Sequence, residues 1–210
     1  MGVLDIETLN EARKALLKIN PDIIMYGEGW TGGESTLPES ERGMKINAPR
    51  TPGIGMFSDD IRDAVKGHVF YMDELGFVNG AADRGEELKQ AVTCAKWAKS
   101  PMQSINYLSC HDNYTLWDRF IISNSHESEE MRIRMNKLAA AILFTAQGIP
   151  FFLHGEEFAR TKISEADGAP VENSYCSPLS VNAIDYDRAE QFSDLKAYYK
   201  GLIALRRAHK

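Results

Sequence analysis

The 210 residues predict an α/β fold with parallel strands, amounting to half of an eight-stranded β/α barrel. Three observations lead there. Short apolar strand signals alternate with helical ones, an order that calls for parallel strands joined by crossovers. Each strand signal ends in glycine or polar residues, where β/α barrels and open α/β sheets place their ligands. Four strands can be counted, and a whole barrel takes about 250 residues, so half is the better count.

The elements follow in order. Residues 5–19 read as an amphipathic helix, with Leu9, Ala12, Leu16 and Ile19 at helical spacing and Asn20-Pro21 as its stop. Residues 22–28 form a buried strand opening onto glycine. Residues 31–55 are rich in Gly, Pro and Ser and predict a long loop, a length that in compact domains usually serves function. A second strand is expected near 53–57, then a helical turn or loop at 59–63. A helix is expected over 86–99, packing Leu88, Val92, Ala95 and Trp97 and closed by Ser100-Pro101. A third strand follows at 103–109. Residues 129–147 give the strongest helix, Ala-rich and ended by Gly148-Ile149-Pro150. A fourth strand is expected at 150–154, then a polar loop and a last amphipathic helix over 192–208.

Composition narrows the partners. The chain is 43% hydrophobic and 26% charged, ordinary for a globular protein of one domain. A net charge of −6 with scattered Lys and Arg argues against nucleic acid, which needs a concentrated basic face. The adjacent Arg206 and Arg207 are explained as well by a solvated helix end. Cys94, Cys110 and Cys176 are odd in number and widely spaced, which fits buried thiols rather than a disulfide or zinc framework. No apolar run approaches the roughly 20 residues of a membrane span. The start lacks a signal peptide's pattern, so a cytoplasmic location is expected. No cofactor is expected, because phosphate loop, nucleophile elbow and dinucleotide fingerprint are all missing.

Candidate chemistry gathers at the strand ends. Glu28 stands between Gly27 and Gly29 and before Trp30. A Trp can stack on a sugar face and shield the carboxyl, raising its pKa toward that of a general acid. A solvated loop glutamate explains the same local features equally well. His111-Asp112 ends the third strand and could hold sugar hydroxyls or stabilise positive charge. A metal phosphohydrolase would want further ligands, and His68, His126, His154 and His209 lack metal-ligand spacing. Glu156 and Glu157, after His154, read as helix-cap or ion-pair residues rather than catalytic ones. Asn173-Ser174-Tyr175 lies in a polar loop that could reach the ligand mouth. Carboxylates and aromatics at successive strand ends suit glycoside chemistry, which needs two carboxylates across a bond and platforms for rings.

Longer stretches carry a resemblance. Tyr26-Gly27-Glu28-Gly29-Trp30, residues 57–67 (FSDDIRDAVKG), residues 106–118 (NYLSCHDNYTLWD), residues 148–162 and Asn173-Ser174-Tyr175 with Ser177-Pro178 together resemble the type I pullulanase branch of the α-amylase superfamily. The resemblance covers essentially the whole chain. It implies a partial catalytic barrel over residues 1–210, the C-terminal half, roughly strands five to eight. It implies a retaining glycosidase acting on α-1,6 branch points of pullulan, starch or glycogen. Glu28 matches the acid/base and Asp112 the third carboxylate, which stabilises the oxocarbenium-like transition state. His111 matches a histidine that binds sugar hydroxyls, and Trp30, Asn173 and Tyr175 lie in cleft-shaping segments. The family's nucleophile is an aspartate in a stretch reading Phe-Arg-Phe-Asp-Leu-Met-Gly. Met1-Gly2 resembles the tail of that stretch, so the nucleophile is expected just before residue 1. Two functions follow as expectations: a debranching glycosidase segment inactive alone, or a standalone half-barrel that binds carbohydrate or serves as a structural module. In either case the open sheet edges predict self-association.

Overall fold

Asp5 shows how directly local chemistry sets the first element. Its carboxylate accepts a hydrogen bond from the Thr8 N–H at 2.7 Å and caps α1 (Ile6–Ile19). Glu7 in the first turn and Lys18 in the last complement the helix dipole. The computed structural model describes residues 1–209. After α1 come β1 (Met25–Gly27), β2 (Ile54–Ser58), α2 (Asp59–Lys66), α3 (Gly85–Thr93) and β3 (Ser104–Asn106). The chain continues through α4 (Leu116–Ser123), α5 (Glu129–Thr145), β4 (Ile149–Pro150), α6 (Leu179–Asn182), α7 (Asp187–Gln191) and α8 (Ser193–Ala208).

The fold is mixed α/β, with one parallel sheet in the order β1-β2-β3-β4 among the described residues. Gly27 pairs with Met56, Ser58 with Asn106, and Asn106 with Pro150, so the strand ends align along one edge. The strands are shorter than expected. Pro150 has no N–H to extend β4, and only Phe151 adds one more rung, donating to the Asn106 carbonyl at 2.7 Å. The β1–β2 crossover contains no α-helix; residues 28–53 cross as a loop with two 3₁₀ turns, Glu39–Glu41 and Lys45–Arg50.

Register also sorts the side chains. Tyr26, Phe57, Tyr107 and Phe151 share one face, and Phe57 touches the other three rings: Tyr26 at 5.8 Å, Tyr107 at 5.1 Å and Phe151 at 5.2 Å between centroids. The main core lies among α2, α4, α5 and α8, where Ile61, Val65, Leu116, Phe120, Leu143 and Leu195 are buried. Ala139 and Ala140 let α5 approach closely. Leu143 is fully buried, so Leu143→Ala should cost about 2–5 kcal/mol in urea unfolding.

Two expectations need correcting. The helix expected over 86–99 ends at Thr93, so Trp97 is not helical. The Thr93 hydroxyl bonds back to the Lys89 and Gln90 carbonyls, and the Asp60 carboxylate captures the Lys96 N–H at 3.2 Å, drawing the chain into a turn. The turn or loop expected at 59–63 is instead the two-turn helix α2. No helix among the described residues is long and apolar enough to cross a membrane.

Candidate active site

Four polypeptide segments leave the aligned strand ends on one edge, and the candidate residues sit in them. Glu28 follows β1 directly. Gly29 is buried where a Cβ would come within 2.6 Å of the Met56 sulfur, so a larger residue would have to push the Met56 and Lys45 side chains aside. The Gly29 carbonyl accepts from the Lys45 N–H at 2.9 Å. Lys45 itself pairs with Asp59, the first residue of α2, and its Nζ lies 4.7 Å from the Trp30 ring centroid. Burial pushes the Lys45 ammonium below its ordinary pKa, and Asp59 opposes that shift.

After β3 the chain stays buried through Ser109 and then turns outward. Asn113 makes the turn in the left-handed region (φ 56°), which Asn tolerates better than most residues. Its N–H donates to Asn173 Oδ1 at 2.6 Å, and Asn173 is also left-handed (φ 49°). His111 Nε2 consequently lies 4.0 Å from Glu28 Oε1 and 3.5 Å from Asp112 Oδ1. One ligand atom from each of Glu28, His111 and Asp112 falls within 4.8 Å of the others. Their side chains are 38%, 65% and 35% exposed, so all three face solvent.

A cleft of about 420 Å³ opens beside them, lined by Trp30, Asp59, Arg62, Phe70, Tyr107, Asp112, Asn113 and Asn173. Arg62 is buried on its floor, donating to Tyr107 Oη at 2.7 Å and to Asp63 Oδ1 at 2.7 Å. Burial drives the Tyr107 phenol well above its ordinary range, with the Arg62 charge opposing. Trp30 and Asn173 thus share the cleft with Asp112. Tyr175 stands in an exposed 3₁₀ turn, Ser174–Cys176, outside the cleft lining. Sequence reasoning had not singled out Lys45, Arg62 or Asn113. A larger apolar cavity of about 730 Å³ lies by Met102, Gly148 and Phe152 at the opposite, entry end of the strands, away from these carboxylates.

Behind the His111 turn lies a buried layer. Glu156 accepts from Ser109 Oγ and lies 3.2 Å from Tyr199 Oη. Burial pushes its carboxyl up to about 7, Ser109 and Lys66 opposing. Lys66, also buried, is pushed down to about 8 for the same reason. A carboxyl raised from 4.5 favours the folded state while protonated. Its contribution is complete below about pH 4.5 and lost as pH rises through about 7. Lys66 acts in the other direction, its contribution being lost as pH falls through about 8. Glu156→Gln should therefore flatten the fall in urea-unfolding free energy between pH 4.5 and 7, by up to a few kcal/mol at about 1.4 kcal/mol per unit.

The site offers one imidazole and two carboxylates. That set suits a divalent cation, or two carboxylates working across a glycosidic bond.

Comparison with known proteins adds the following. No protein-family model matches the chain. The pullulanase of Bacillus subtilis is 39% identical over 216 residues, covering 100% of this chain and 29% of that protein. The crystal structure of Paenibacillus barengoltzii pullulanase, complexed with maltohexaose and alpha-cyclodextrin, superposes with a TM-score of 0.90 at 45% identity. It covers 100% of this chain and 32% of that one. A pullulanase from Anoxybacillus sp. complexed with maltotriose gives 0.91 at 42% identity, covering 98% of this chain and 29% of that one. The chain thus spans about a third of the length of the proteins it matches.

Proposed function

From its homology over its whole length to a segment of the pullulanases, we propose that this chain is the acid/base-bearing part of an α-glucan debranching barrel. In this reading the four parallel strands are strands five to eight of a β/α barrel, and the Tyr26–Phe57–Tyr107–Phe151 ring set faces its interior. The observation that carries the proposal is the convergence of Glu28, His111 and Asp112 within 4.8 Å, beside a Trp-lined cleft at the carboxyl ends of the strands.

The chemistry follows from roles those groups can fill. As the α-1,6 C–O bond breaks, its electron pair goes to the leaving oxygen, which takes a proton from Glu28. Positive charge develops on the ring, where the Asp112 side chain stabilises it. Glu28 then takes a proton from the attacking water. His111 donates to hydroxyls of the sugar being cleaved, while Trp30 and Asn173 shape the cleft; Tyr175, at its outer side, meets longer glucans. Retention further requires a nucleophilic carboxylate. In this reading the nucleophile is supplied by the part of the barrel outside these 210 residues, which span about a third of the proteins they match. The chain alone is therefore inactive.

Grafting residues 1–210 in place of the matching segment of the Bacillus subtilis pullulanase tests this. The graft should release maltotriose from pullulan, and the 210-residue chain should release none. A graft that folds but leaves pullulan intact would sink the proposal. If the three groups instead hold a catalytic metal, a chelator would abolish the graft's activity; the proposal expects no such loss.

A further inference from the structure

We propose that Glu156 is a positioning residue that fixes the His111–Asp112 turn from behind. The inference rests on the assignment of Asp112 to glucan cleavage. Ser109 stands one residue before Cys110 and three before Asp112, and its hydroxyl donates to Glu156 Oε2. Both are buried, at 2% and 3% exposure, so the hydrogen bond to the carboxyl is made away from bulk solvent. The Glu156 carboxylate is held in its own right. Gly155 (φ 95°) and Ala159 (φ 58°) bracket it with left-handed turns, and the Arg188 guanidinium locks the second by donating to the Ala159 carbonyl at 2.6 and 3.0 Å. An alanine in that conformation is strained, and such strain gathers where a structure must hold one geometry.

Tyr199 of α8 and Asn136 of α5 complete the support. Tyr199 Oη lies 2.8 Å from Asn136 Oδ1 and 3.2 Å from Glu156 Oε1, while Asn136 Nδ2 is buried without a partner. Turning the Asn136 amide over lets its N–H donate to Tyr199, whose own O–H is then free for Glu156. The carboxylate would then accept from both Ser109 and Tyr199. Lys66 on α2 supplies positive charge, and the neighbouring Glu157 opposes it. Stability alone does not account for this arrangement, because buried ionic groups are often replaceable by apolar ones without loss. What the contact does is tie the turn bearing Asp112 to α8 through Tyr199 and, through it, to Asn136 of α5.

Cys110 reports on the turn, since its sulfur accepts from the Asp112 N–H at 3.4 Å and is half-buried. Iodoacetamide labelling of the 210-residue chain, read by mass spectrometry, measures its rate against half-buried Cys94 and exposed Cys176. Ser109→Ala and Glu156→Ala should speed Cys110 labelling about tenfold or more, with Cys94 and Cys176 unchanged. Glu156→Gln should stay within about threefold of the parent, because its amide oxygen still accepts from Ser109. In the pullulan-active graft, the two alanine variants should lower kcat about 10–100-fold with little change in KM, and Gln should restore it. Unchanged Cys110 labelling would overturn the inference, as would Cys94 accelerating in parallel or kcat staying at the parent value. The labelling needs no hydrolysis, so an inactive graft counts against the proposed function and leaves the positioning claim to the thiol rates.

Discussion

Glu28→Gln in the graft should slow pullulan cleavage by about 10²–10⁴-fold, while the first step on an aryl α-maltotrioside with a good leaving group is nearly spared. A sugar alkoxide leaves badly unless protonated as the bond breaks, and Gln has no proton of the needed acidity. A phenolate with a low pKa leaves unaided. The second step still needs a base to activate water, so the aryl substrate should show a burst of phenol followed by slow turnover. Asp112→Asn removes charge rather than a proton, so both substrates should suffer alike. Stopped-flow measurement of the two substrates separates these cases. Equal losses on both substrates for Glu28→Gln would show that it does not act as the acid.

The isolated chain should self-associate, most simply as a two-fold dimer. Ile19, Ile24 and Tyr26 are 82%, 55% and 47% exposed along the β1 edge, and the apolar cavity near Ile149 and Phe152 flanks the β4 edge. Both outer edges are unpaired among the described residues. Unpaired parallel edges with apolar side chains recruit another strand or aggregate. Setting β4 of one copy beside β1 of the other, twice, would close an eight-stranded parallel ring. Light scattering should then give about twice the 23.5 kDa chain mass, falling on dilution, and Tyr26→Lys should shift the equilibrium toward monomer. A monomer of 23.5 kDa at every concentration, unfolding cooperatively, would refute this.

Much of this arrangement can be read in the sequence because its causes are local. Asp5 caps, Pro21 stops, and the Ala-rich run of α5 keeps a small face toward its neighbours. Glu28 and His111-Asp112 stood out because each follows a strand signal, and strand ends in a parallel sheet converge. Other parts depend on partners far along the chain. Asp60 turns the segment after α3 by catching an N–H 36 residues away. α4 escaped notice because it is buried all round, Asp118 and Arg119 included, and shows no polar stripe. Lys45 and Arg62 look like ordinary surface cations until the fold places them under the cleft. Glu156 read as a cap or ion-pair residue, and its hold on Ser109 spans 47 positions of sequence.

The most direct measurement is proton NMR of pullulan digested by the graft and by its Glu28→Gln variant, following the anomeric signals of the first product formed. The account predicts that the graft releases maltotriose first as the α-anomer, since retention preserves configuration, and that the Gln variant leaves the polymer intact over the same period. First release of the β-anomer, or pullulan cleaved by the Gln variant at the parent rate, would contradict it.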